Sequence, residues 1–286
     1  MFAFPSGSSP PTELERDGNS VLVLPETEDV IYRVLILAYP ARSHQLYSLS
    51  AADLDSACAV HEAAQKYQFT YAQNLLVEML MDDTLVDAHP HRLFAIAQLQ
   101  DLPSLGQKAA LSTLKLPFCP PNLTFPEMGL LTADKMQKLY DFHRLCSDNA
   151  SDIFRGACGP LEEHEIGVDS SLSVDDNDFT FVWWVPHSHD GRCGPESDFE
   201  SGVVVPAKWF RDLMQPVIPK VRLLPTVTNV VSEIAAARVE PWSDCEMCSA
   251  EGRKDVERFA IRISRILANK NETSDISARE LGILGF

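Results

Sequence analysis

The chain has 286 residues, 45% of them hydrophobic and 23% charged, enough to bury a sizeable core in one large domain or two smaller ones. Its 41 acidic and 24 basic residues give a formal charge of −17, a field that repels a phosphate backbone and disfavours direct nucleic-acid binding. No apolar run is long enough to span a bilayer, Met1–Pro5 does not read as a signal peptide, and the seven scattered cysteines are no secreted disulfide framework, so a cytoplasmic or nuclear protein is expected.

Met1–Phe4 is apolar, and residues 5–20 form a turn-rich polar loop. Val21–Leu24 reads as a short strand, followed by three helices. The first covers Glu28 to Tyr39, capped by Thr27 and stopped by Pro40, with Val30, Ile31, Val34, Leu35 and Ala38 at helical spacing. The second runs from Ala51 to Tyr67, opened by Ser50, with Leu54, Ala57, Val60, Ala64 and Tyr67 on one face. The third follows Thr70 and carries Ala72, Leu75, Leu76, Met79 and Leu80. Leu35, Ala64, Tyr67, Leu75 and Leu76 are expected in the core, where truncating a large aliphatic to alanine costs about 2–5 kcal/mol.

Beyond the polar break Asp82–Thr84, Pro90 and Pro103 each open a helix in the turn that tolerates proline. Prolines punctuate a connector over residues 117–126, and Thr132 caps a helix with Met136, Leu139, Tyr140 and His143 on one stripe. Residues 147–178 are acidic and weakly patterned, hence a linker. Phe179–Val185 is β-prone and apolar on both faces, a buried strand or an extended segment docked onto helices. Pro206 starts a helix bearing Trp209, Phe210, Leu213 and Met214; another lies near Thr226–Arg238. The last, Asp255 to Ala268, turns Val256, Phe259, Ala260, Ile263 and Leu267 inward and Arg258, Arg262 and Arg265 outward as a solvated basic face. The expected class is α+β, mostly helical. It comprises a strand-plus-helices block (1–81), a helical extension (82–147), an acidic linker (148–178) and a mixed carboxy-terminal region (179–286).

The sharpest candidate for chemistry is the Cys-x-x-Cys pair Cys245 and Cys248, a common half of a tetrahedral zinc site. Cys193 and His189, in a turn-like stretch, are the candidates for the other half of a structural zinc. No second regularly spaced pair exists, so plain thiols are the favoured reading and zinc the alternative. His187-Ser188-His189-Asp190 resembles the start of a metallohydrolase motif, but Gly191 and Arg192 stand where the remaining ligands belong. No phosphate loop, dinucleotide fingerprint or nucleophile elbow is present, so neither catalysis nor a cofactor is expected.

Val21-Leu22-Val23-Leu24-Pro25-Glu26, Leu35-Ile36-Leu37-Ala38-Tyr39-Pro40 and His61-Glu62-Ala63-Ala64-Gln65-Lys66-Tyr67-Gln68 together resemble the second half of a BTB/POZ domain. The resemblance is to the BTB proteins abundant in mushroom-forming fungi, and it continues through Ala88–Ala97 and Tyr140–Cys146. It implies an adaptor or scaffold that binds other proteins and has no reaction of its own. The family's first strand and helices would lie upstream of Met1, so a shortened or degenerate domain is expected, without the usual homodimer surface. Work as a cullin ubiquitin-ligase adaptor is a narrower implication. The apolar-x-Glu contact it uses has no counterpart, since no glutamate occurs from Asp29 to His61. The missing part also predicts an exposed apolar patch at Val30 and Val34, or its cover by residues 179–267.

Overall fold

A computed structural model describes residues 14–16, 19–21, 23–39, 49–117, 124–158, 161–162, 196–198, 203–237 and 246–280. The chain divides into two units, Met1–Leu80 and Met81–Phe286.

In the first unit, β1 (Leu14–Arg16) pairs antiparallel with β2 (Asn19–Val21). Helix α1 (Glu28–Ala38) starts where Thr27 Oγ1 accepts the Val30 N–H, with Glu28 and Asp29 favourably placed in its first turn. α2 (Leu54–Lys66) and α3 (Thr70–Leu80) complete a three-helix cluster in which each helix packs on the other two. Its core is Val30, Val34 and Leu37 of α1, Leu54, Val60 and three alanines of α2, and Ala72, Leu76 and Leu80 of α3. The alanines Ala57, Ala63 and Ala64 present short side chains to the neighbouring helices, which suits close approach. α2 ends in a left-handed turn at Gln68 (φ 60°), where Phe69 N–H reaches Ala64 O at 2.8 Å and Gln68 N–H reaches Gln65 O at 3.1 Å.

The second unit opens with α4 (Asp83–Ala88), capped by Asp82, whose Oδ1 accepts from the Thr84 and Leu85 amides. α5 (Pro90–Gln100) and α6 (Pro103–Thr113) each carry proline in the first turn, pack against each other and bury Leu93, Ile96, Leu105 and Ala109. A 3-10 turn, Pro126–Gly129, is fastened to α5 by a nearly buried pair: Arg92 Nε to Glu127 Oε2 at 2.9 Å and Nη2 to Oε1 at 2.8 Å. α7 (Ala133–Cys158) follows, then the short strands β3 (Leu161–Glu162) and β4 (Glu196–Asp198), each antiparallel to β5 (Val203–Val205). α8 (Lys208–Met214), α9 (Val217–Leu223), α10 (Val227–Ala236) and α11 (Glu246–Glu280) close the unit. They share a core with the end of α7, centred on Phe259, whose ring meets Phe210 at 5.2 Å and Phe154 at 6.2 Å, both edge-on.

The expected α+β class is corrected: the described residues are helical, no strand among them exceeds three residues, and no strand-plus-helices block forms. Val21 ends β2, Leu22 lies outside the described residues, and Val23 and Leu24 are in no strand; Val23 is 64% exposed and a bend follows at Pro25. A strand needs a paired neighbour and a covering layer, whereas α1, α2 and α3 bury their apolar faces against one another.

Several helix limits also move. α2 begins at Leu54, and Ser50 instead donates through its N–H and Oγ to Asp53 Oδ2, both at 2.7 Å. α7 continues through residues 148–158, because Ala150, Ile153 and Phe154 extend its buried stripe while Asp148 and Asp152 stay on the outer side. α4 occupies the polar break, and α9 and the 35-residue α11 exceed what periodicity suggested. Ala64 and Leu76 are core residues as expected, Tyr67 and Leu75 are half-buried, and Leu35 is exposed. Val30 and Val34 are covered within their own unit. The predicted strand Phe179–Val185 lies outside the described residues.

Candidate functional site

α1 has two apolar faces. Val30, Val34 and Leu37 point into the core, while Tyr32, Leu35 and Tyr39 recur at i, i+3 and i+7 on the other side, 63%, 42% and 64% exposed. Half-buried Ile31 and Ile36 border the outer stripe. With each aromatic ring offering about 150–250 Å², the open parts of the three side chains amount to roughly 300 Å², at the lower end of the range of about 300–600 Å² that the largest apolar patch of a monomer covers, a patch that is often functional.

Polar clamps hold this helix at two points. Arg33 Nε donates to Asp29 Oδ2 at 2.8 Å along α1, and its Nη1 donates to Asp53 just ahead of α2. Burial raises the Asp53 carboxyl, but hydrogen bonds from Arg33 and Ser50 outweigh it and hold the group below its ordinary range. Just before α1, Glu26 accepts from Lys66 Nζ at 2.6 Å and from the Tyr67 hydroxyl, and Lys66 lies 5.0 Å from the Tyr67 ring centre. Lys66 and then Tyr67 lower the Glu26 carboxyl; Glu26 in turn raises Lys66, and burial followed by Glu26 raises the Tyr67 phenol. The outer stripe is therefore displayed on a helix tied to α2, with Glu28 and Asp29 as an acidic rim at its first turn.

Of the proposed zinc ligands, Cys248 is buried in the core cluster around Phe259. Cys245, Cys193 and His189, and likewise His187, lie outside the described residues. No group of three or more His, Cys, Asp or Glu side chains suited to a metal ion occurs among the described residues. Cys58, Cys146 and Cys248 are not in disulfides.

His143, on the predicted α7 stripe, has a packing role. Its Nε2 lies 3.3 Å from Leu116 O, which can only accept, so Nε2 carries the proton and Nδ1 accepts from Ser147 Oγ at 3.4 Å. Burial lowers the titration of His143, and burial together with the nearby His143 lowers that of His91. Sequence reasoning missed Tyr32 and Tyr39 because α1 is apolar nearly all round, so its periodicity does not say which face is covered. The available signal was their i, i+7 spacing with Leu35 between them.

Among the described residues no helix is long and apolar enough to cross a membrane. No family model matches the chain, and no curated protein and no solved structure is significantly similar to it.

Proposed function

We propose that this chain is an intracellular protein–protein interaction module, an adaptor or scaffold with no reaction of its own. The observation that carries the reading is the outer stripe of α1: three large apolar side chains left open on a helix whose opposite face is fully used in the core. The BTB/POZ resemblance of the same stretch supports it. The spacing of Tyr32, Leu35 and Tyr39 is that of a helix-to-helix seam, so the partner presents an amphipathic helix with apolar residues at matching intervals. Glu28 and Asp29 at the rim favour basic residues flanking that helix. A specific interface covers about 800 Å² per partner, so the stripe is its energetic centre and surrounding polar surface completes it.

The test is affinity capture of partners with the full chain and with the triple variant Tyr32→Ser/Leu35→Ser/Tyr39→Ser, followed by reconstitution with each purified partner. Because these side chains are exposed, the variant keeps its circular dichroism and melting temperature. The expected result is loss of the captured partner and at least about tenfold weaker binding on reconstitution. Unchanged capture by a folded variant would refute the reading.

A further inference from the structure

A second surface, of different chemistry, lies on α11. From Val256 to Leu267 this helix puts Val256, Phe259, Ile263 and Leu267 into the core. On the outer side Lys254, Arg258, Ile261 and Arg265 fall at i, i+4, i+7 and i+11, all exposed, with half-buried Arg262 alongside. Lys254 pairs with Glu251 at 3.1 Å and Arg258 with buried Asp255 at 3.2 Å, both at i, i+3. Beyond Asp255 and Glu257 the helix carries no carboxylate through Asn269, while Arg258, Arg262 and Arg265 all fall in that run. This stripe is opposite in sign to a chain whose formal charge is −17.

We infer that this face of α11 docks an acidic amphipathic helix of another protein, one whose carboxylates at three- and four-residue intervals flank a single aliphatic residue. Three features select this occupant. The cations repeat at helical spacing over roughly 16 Å, which matches carboxylates on about three turns of a facing helix. Ile261, 54% exposed in their midst, requires an apolar counterpart that a bare phosphate or sugar does not supply. The net negative charge of the whole chain opposes an extended polyanion or an anionic bilayer but penalises a short acidic segment far less. The exposed i, i+3 pair Lys254–Glu251 contributes little stability, so Lys254 can exchange Glu251 for an incoming carboxylate at small cost, while Arg258 stays with buried Asp255.

The experiment uses the full chain and a fluorescein-labelled helical peptide about four turns long. It carries glutamates at i, i+4 and i+11 and leucine at i+7. Fluorescence anisotropy is expected to show saturable binding that weakens about tenfold as salt rises from about 50 to 300 mM. Lys254→Glu/Arg265→Glu is expected to weaken binding by about tenfold or more, Lys254→Gln/Arg265→Gln by less, and Ile261→Ser by about threefold. The variants should keep the melting temperature of the parent. No saturable binding, equal binding of a peptide with the same charge but the leucine changed to serine, or equal affinity for the Lys254/Arg265 variants would overturn the inference. Tighter binding of a single-stranded oligonucleotide or of phosphatidylserine vesicles would also overturn it, in favour of a polyanion site.

Discussion

Glu127→Ala offers a direct test of how the second unit is held together. Glu127 and Arg92 meet through two hydrogen bonds at 2.8 and 2.9 Å, with side chains only 6% and 13% exposed. Removing the carboxylate strands most of a guanidinium in a poorly solvated place, and breaking such a pair from one side costs about 3–5 kcal/mol. That is a large share of a stability of about 5–15 kcal/mol. The pair also anchors the 3-10 turn Pro126–Gly129 to α5, so the loss frees a connector as well as a charge. Urea unfolding followed by circular dichroism is the assay, with Glu127→Gln expected in between because the amide keeps one acceptor. The double variant Arg92→Met/Glu127→Leu removes both charges and should recover most of the loss. A cost below about 1 kcal/mol for Glu127→Ala, or a double variant as unstable as the single one, would refute the assignment of a buried, mutually dependent pair.

The buried histidines make stability depend on mild acid. His91 and His143 both titrate below the ordinary value of about 6.5 when folded. The unfolded chain therefore takes up protons first: their contribution is fully present above about pH 6.5 and is lost as pH falls through the folded values. Melting temperatures measured between about pH 7.5 and 5.5 should fall, and His143→Gln should flatten the decline; a profile unchanged by the substitution would contradict this. In the first unit, Leu76→Ala should cost about 2–5 kcal/mol in urea unfolding, whereas Leu35→Ala, on the open side of α1, should stay within about 0.5 kcal/mol of the parent. Gln68→Gly relieves a left-handed residue at the end of α2 and should stabilise by about 0.5–1 kcal/mol. A loss of stability would mean that the Gln68 side chain outweighs the backbone strain.

Helices whose start and buried face are both written locally were legible. Thr27 before α1, Thr226 before α10 and the prolines opening α5 and α6 mark the beginnings, and the aliphatic stripe of α3 gives its inward side. The ends were harder to see, because α2 and α5 turn at Gln68 and Asp101 where a glycine would have signalled the left-handed residue. α9 was hidden by Pro219, which sits within the first turn of a seven-residue helix. The acidic character of residues 148–158 masked the end of α7, since composition alone cannot separate a polar outer face from a linker. The candidate surface was only half legible. Leu35 and Leu37 are two residues apart on a nearly all-apolar helix, and the choice between them is made by α2 and α3 packing on one side. The clamp from Arg33 to Asp53, 20 positions apart, likewise depends on how two helices meet.

The division of α1 into a covered and an open side has a genetic consequence. Val34 and Leu35 are adjacent codons with opposite liabilities. A polar change at Val34 lowers the amount of folded protein, and the cell reads it as shortage. Under the proposed function, the same change at Leu35 leaves the amount untouched and produces a full complement of protein that no longer engages its partner. Such a product competes with the intact version for everything bound elsewhere on the chain, so substitutions at Tyr32, Leu35 and Tyr39 should behave as dominant alleles, and those at Val30, Val34 and Leu37 as recessive ones.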